Sequence, residues 1–204
     1  MLALFLLVAS THFAALLSPG PDFFLLLRNA LLKGRAQADG CAAGIALANL
    51  LSMLLVLVAL QALAGQQGWV WQGLQWLGGG YFIWLGVSAL LARRQLALPE
   101  ASGLATAGEW QAGMRQGLLA SSLNPKLPIF YAGLFGLLRE AAMPGWALAL
   151  CVAWMSLVVL IWDLLLIRLL ARGRWRDWLG RHVSRLDRLC GALLLVLGVC
   201  LLWS

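Results

Sequence analysis

Charge is scarce in this chain. Asp, Glu, Lys and Arg make up 11% of its 204 residues, against about a quarter in a soluble domain, and 62% of the residues are apolar or aromatic. A mean hydropathy of +0.86 points the same way and excludes an ordinary water-soluble protein. Polar stretches are lacking too: none exceeds roughly 25 residues, too little for a separate soluble domain. There is no Ser or Cys nucleophile placed with a base, no H-E-x-x-H and no phosphate-binding Gly-rich motif, so neither an enzyme nor a nucleotide-driven machine is expected. Cys41, Cys151, Cys190 and Cys200 lie singly in apolar runs without a C-x-x-C pair and read as small apolar filler. The first 21 residues have no basic n-region and no A-x-A-like site before a polar mature segment, so they read as a retained span.

What the chain does have is length without charge. Residues 1–21, 40–92, 141–162 and 189–204 carry none, and a bilayer-spanning helix needs about 20 mostly apolar residues. The reading is an all-α integral membrane protein with six transmembrane helices, Leu2–Leu27, Gly40–Ala64, Val70–Leu91, Ala112–Leu138, Trp146–Leu170 and Val183–Trp203. An uncharged turn, Gly65-Gln66-Gln67-Gly68, separates the second and third. The net charge of +7 is confined in the same way: 13 of the 15 Lys and Arg residues fall in the first, third and fifth loops, against Arg139 in the others. That is the pattern of cytoplasmic loops; it places both termini outside the cytoplasm and argues against nucleic acid as a partner. The fifth loop interleaves Arg174, Arg176 and Arg181 with Trp175 and Trp178, as an amphipathic helix at anionic headgroups would.

Six spans divide into two groups of three, and an odd number per half forces opposite orientation. The expected architecture is therefore one domain over 1–204 built as two inverted three-helix repeats, about 1–92 and about 112–204, joined by a cytoplasmic linker at about 93–111. The first helix of each half is broken at a Pro-rich motif: Ser18-Pro19-Gly20-Pro21-Asp22 in one, Asn124-Pro125-Lys126-Leu127-Pro128 in the other. Proline removes a donor and collides with the carbonyl four residues earlier. Pro19 and Pro21 should thus free the carbonyls of Ala15 and Leu17, and Pro125 and Pro128 those of Ser121 and Asn124. Such groups persist at membrane depth only against protein, water or ligand, and each restarting helix would offer its N–H groups to an anion.

Lys126 lies roughly 14 residues, or about 20 Å, into its span. A central lysine costs on the order of 3 kcal/mol and calls for a partner or an aqueous cavity. Either Asp22 and Lys126 form a structural ion pair, or they share a site in which Lys126 or the helix N-termini hold a substrate carboxylate and Asp22 an ammonium group or proton. Asp163, about 17 residues into the fifth span, is either a proton-coupling group or a partner for Arg168. Asp39 and Asp187 are expected to cap the second and sixth helices. His12 reads as an interior histidine satisfied by its neighbours. Asn49 and Ser52 could line a pathway or bond between helices, and Gly40, Gly44 and Ala48, four apart, suit close helix contact.

These motifs resemble the LysE/RhtB family of amino-acid exporters. Ser18-Pro19-Gly20-Pro21-Asp22 with Gly34-Arg35 and Gly40 through Gly44-Ile45-Ala46-Leu47 is similar to the family's opening signature, and Asn124-Pro125-Lys126 to its second. Gly80-Tyr81-Phe82-Ile83-Trp84-Leu85-Gly86 and Leu186-Asp187-Arg188-Leu189-Cys190-Gly191 also fit, whereas Ala132 to Leu138 lacks the family's Pro-Gln-Phe ending and Ala48 stands where glycine is frequent. The resemblance implies a secondary transporter exporting an amino acid or derivative across the bacterial inner membrane, coupled to protons and needing no cofactor or metal. Its implied partners are a small amino-acid substrate, protons, the lipid bilayer and, in assembly, a second copy as a homodimer. Binding or coupling would rest on Ser18, Pro19, Gly20, Pro21, Asp22, Asn49, Asn124, Pro125, Lys126 and Asp163. The alternative is a metal-ion exporter of the wider superfamily, which would want clustered carboxylates and histidines, whereas His12, Asp22 and Asp163 are scattered in sequence. A thiol oxidoreductase would need paired cysteines in the broken spans, which have none.

Overall fold

The computed structural model describes residues 2–18, 20–63, 68–91, 110–171 and 173–203. Pro19, most of the uncharged turn at 64–67 and nearly all of the 93–111 linker lie outside the described residues. Within them the chain forms eight helices and no strand: α1 Leu2–Leu17, α2 Pro21–Leu32, α3 Arg35–Ala62, α4 Gly68–Leu91, α5 Trp110–Ser122, α6 Lys126–Glu140, α7 Gly145–Leu170 and α8 Gly173–Trp203. Both Pro-rich motifs interrupt the helix. α1 and α2 meet at 54°, with Pro21 at the start of α2, where its missing N–H costs nothing. α5 stops at Ser122 and α6 restarts at Lys126 behind Pro125. Gly34 links α2 to α3 with φ 89°, a left-handed conformation that glycine adopts without strain.

By length and composition α3 and α7 are each able to cross a membrane, and α1 with α2 passes as a bent pair. The outer faces agree: Leu55 and Val58 on α3, Leu150 and Ile161 on α7 and Trp84 on α4 are all more than half exposed. A continuous apolar surface of this kind belongs against lipid. α8 runs 31 residues, ten more at its start than the apolar run alone suggests. The Arg- and Trp-bearing stretch is therefore helix rather than loop, with Trp175 and Trp178 exposed and their rings 5.6 Å apart.

Glycine decides which helices touch. α3 and α5 cross backbone to backbone: a Cβ on Gly44 would lie 2.2 Å from the Met114 carbonyl oxygen, and one on Gly117 2.2 Å from that of Cys41. Gly40 and Gly113 make the same approach, to Trp110 and Gln37. α4 and α8 cross through Gly86 opposite Gly191 and Gly79 opposite Gly198. Each crossing joins a helix of residues 1–92 to one of residues 112–204. Two apolar cores form around them, one centred on α6 (Phe130, Tyr131, Phe135, Leu138) with Val8, Met53 and Met155, the other packing α2 (Leu26, Leu27) on α3 and α7. The two breaks face each other between these cores.

Replacing Gly117 by valine is expected to cost at least about 1–3 kcal/mol and to lower the unfolding temperature of the detergent-solubilised protein. Gly136→Ala, with nothing within 4 Å of the new methyl, should leave it unchanged.

Candidate functional site

The breaks are held together by a reciprocal exchange. Ala15 and Ser121 each stand four residues before the proline that opens their break. From the second break Lys126 reaches back to α1 and donates from Nζ to the Ala15 carbonyl, 3.0 Å. From the first, Asp22 accepts at Oδ2 from the Ser121 hydroxyl of α5, 2.9 Å. Asp22 and Lys126 thus each find a hydrogen bond in the opposite half while lining one cavity. The freed Ala15 carbonyl is where the proline rule puts it. The second break differs: the Ser121 and Asn124 carbonyls are taken locally by the N–H groups of Asn124 and Leu127, 3.0 and 3.2 Å. The Asn124 side chain accepts the Lys126 N–H, 3.0 Å, so α6 is already capped by its own chain. α2 opens at Gly20 with no side-chain cap, and Gly20 lies beside the lysine head group, where a Cβ would be in ordinary contact with Nζ at 3.7 Å.

The cavity between the breaks measures about 70 Å³, room for a small group of waters. Ser18, Gly20, Asp22, Asn49, Asn124, Lys126 and Asp163 all line it, so seven of the expected residues converge. Ser18 also donates to Asp187 on α8, 3.1 Å. Asn49 is anchored at both ends of its amide: Nδ2 donates to the Ile45 carbonyl, 2.9 Å, and Oδ1 accepts from the Tyr131 hydroxyl, 2.7 Å. Its visible work is to fix Tyr131. By contrast, Oδ1 of Asp22 and Oδ2 of Asp163 are buried without a hydrogen-bond partner.

Four expectations are corrected. Arg168 does not serve Asp163; its guanidinium grips both oxygens of Asp39, because five residues along a helix turn the side chain to another face. Asp39 is therefore no cap, since α3 begins at Arg35, four residues earlier. Asp187 is no cap either: it is fully buried within α8 and takes the Ser18 hydroxyl. His12 is buried as expected, yet neither ring nitrogen has a hydrogen-bond partner, and the Met155 backbone alongside completes none of normal geometry. The sequence points to Ser121 for its carbonyl, not for the hydroxyl that meets Asp22, and Tyr131 is not among the expected site residues. Ser121 carried a signal, its place four residues before Pro125; Tyr131 carried only its position beyond the break.

The sequence profile of the LysE type translocators matches residues 13–204, and so takes in both breaks, Asp163 and Asp187. The chain belongs to the LysE type translocator family. The threonine efflux protein of Escherichia coli (strain K12) is 29% identical over 211 residues, covering both chains completely. The leucine efflux protein of Klebsiella pneumoniae subsp. pneumoniae is 28% identical over 120 residues, 59% of this chain and 56% of its own. An uncharacterized membrane protein of Escherichia coli (strain K12), YahN, is 26% identical over 189 residues, 92% of this chain and 83% of its own. No solved structure matches. This translocator is accordingly a membrane transport protein and not an enzyme. The metal-exporter alternative is not supported: the relatives named for what they move are threonine and leucine efflux proteins.

In this translocator Tyr131→Phe should strand Asn49 Oδ1 in a buried site, at about 1–3 kcal/mol. Thermal unfolding in detergent should show the loss, and Tyr131→Phe with Asn49→Leu should recover part of it.

Proposed function

We propose that this translocator exports an amino acid across the bacterial inner membrane in exchange for protons. The reading is supported by relatives named as threonine and leucine efflux proteins. One observation carries the chemistry: the Lys126 head group, bonded to the Ala15 carbonyl, and a carboxylate, Asp22, whose Oδ1 receives no hydrogen bond of normal geometry, line the same small cavity at two helix breaks. A zwitterion has an anion and a cation a few ångströms apart. Lys126 holds the carboxylate; Asp22, through Oδ1, holds the ammonium group. Asp163, with a buried oxygen that has no hydrogen-bond partner and with Arg168 turned to Asp39 instead, carries the coupling proton.

The transport cycle follows from how the halves are joined. Six spans, as two inverted repeats, would make α1–α2 the counterpart of α5–α6, α3 of α7 and α4 of α8. Consistent with such a two-fold relation, α3 packs on α7 and α4 on α8, and the bonds across the breaks are reciprocal. A substrate that takes Lys126 from the Ala15 carbonyl breaks one of those two clasps and lets the halves rock about the site. Loop charge, 13 basic residues against one, supports an orientation with both termini in the periplasm.

Proteoliposomes loaded with a mixture of the common amino acids and given a pH gradient should release one or a few of them, identified by mass spectrometry. Lys126→Ala should reduce that release more than about tenfold, the worth of a charged hydrogen bond, while the protein still inserts. Asp163→Asn should keep exchange at equal pH and lose its acceleration by the gradient. Release of no amino acid by the intact protein would overturn the proposal.

A further inference from the structure

His12 lines the cavity, and the exporter reading gives it no role. It stands on α1 three residues before Ala15, 3% exposed, and lines the cavity with both ring nitrogens lacking hydrogen bonds. The ring is not loose: Tyr131 stacks on it at 6.3 Å, Trp154 meets it edge-on at 6.1 Å and Phe130 lies at 6.3 Å. Tyr131 gives its hydroxyl proton to Asn49. A polar ring held by aromatic walls and left without a partner is costly, and it persists where something that visits the cavity supplies the bond.

Resting on the exporter reading, we infer that His12 is the specificity-determining residue of the site, hydrogen-bonding a hydroxyl on a short substrate side chain. The two poles of a zwitterion are already answered by Lys126 and Asp22. What remains to meet His12 is the side chain, and three residues of helix, about 4.5 Å, separate His12 from the carbonyl that anchors Lys126. An imidazole offers one donor and one acceptor nitrogen, and a hydroxyl can answer either. The apolar walls of Phe130, Trp162 and Val159 suit the rest of a short side chain. The relatives' names divide on this point, threonine in some and leucine in another, and His12 places this chain with the former.

The test compares threonine with valine, which replaces the hydroxyl by a methyl of similar size, in counterflow by reconstituted full-length protein, alongside lysine and leucine. A site that loses a buried hydrogen bond rejects the isostere, so wild type should favour threonine over valine by roughly tenfold or more. His12→Phe should bring that ratio down to within about twofold, and His12→Gln, which restores a donor and an acceptor, should recover part of it. The ratio is independent of how much variant protein folds, and the wild-type comparison needs no variant at all. Comparable rates for threonine and valine, preference for lysine or leucine, or a ratio unchanged in His12→Phe would overturn the role of His12 and leave amino-acid export standing. No amino acid moved by wild type would instead overturn export itself, and this inference with it.

Discussion

A backbone carbonyl released by proline inside a membrane must be answered, and in this protein the answer comes from the other half of the chain. Lys126 Nζ on the Ala15 carbonyl satisfies a group that lipid cannot, and gives a deeply placed cation an oxygen to bond. The Ser121 hydroxyl on Asp22 does the same for a buried carboxylate. Neither break is tolerable alone, since an unsatisfied group at that depth costs several kcal/mol. Together they form a clasp whose parts are also what a zwitterion would use, so binding and rearrangement act on the same atoms.

The clasp requires two bent helices to sit within hydrogen-bonding distance, and glycine makes that distance available. α3 and α5 approach until a single methyl group at Gly44 or Gly117 would collide with a carbonyl oxygen. α4 and α8 do likewise at Gly86 and Gly191. Without a hydrophobic force between helices in lipid, such close contact is what holds them. Because both crossings join the first half of the chain to the second, they bring the breaks face to face and leave a cavity where the two cores stop short of each other. The Asn49–Tyr131 pair stiffens one wall, and Asp22 and Asp163, each with a buried oxygen lacking a hydrogen bond, lie along others.

Much of this was legible in the residues. Helix content, the two breaks, the released Ala15 carbonyl and the gathering of Ser18, Asp22, Asn124, Lys126 and Asp163 follow from proline chemistry and from charges that have no other reason to be buried. What stayed hidden was partner choice. Asp163 and Arg168 look like neighbours in sequence, but a helix turns five positions to a different face, and Arg168 meets Asp39 of α3 instead. Asp39 and Asp187 look like caps only if helices begin where apolar runs begin; polar and basic residues extend α3 and α8 well beyond that. The second break was expected to mirror the first, yet Asn124 closes it with its own side chain and N–H. His12 shows the limit most sharply, because burial can be read from an apolar run, whereas the absence of a hydrogen-bond partner depends on every helix packed around it.

The central claim is that one cavity holds both ends of an amino acid, the carboxylate at Lys126 and the ammonium at Asp22. Competition binding to purified protein tests it most directly, using whichever amino acid the wild type exports as the labelled ligand. The unlabelled amino acid should displace it, while its decarboxylated amine and its deaminated hydroxy acid should fail at concentrations at least tenfold higher. Equal displacement by either analogue would mean that one end of the zwitterion is not bound, and would contradict the account.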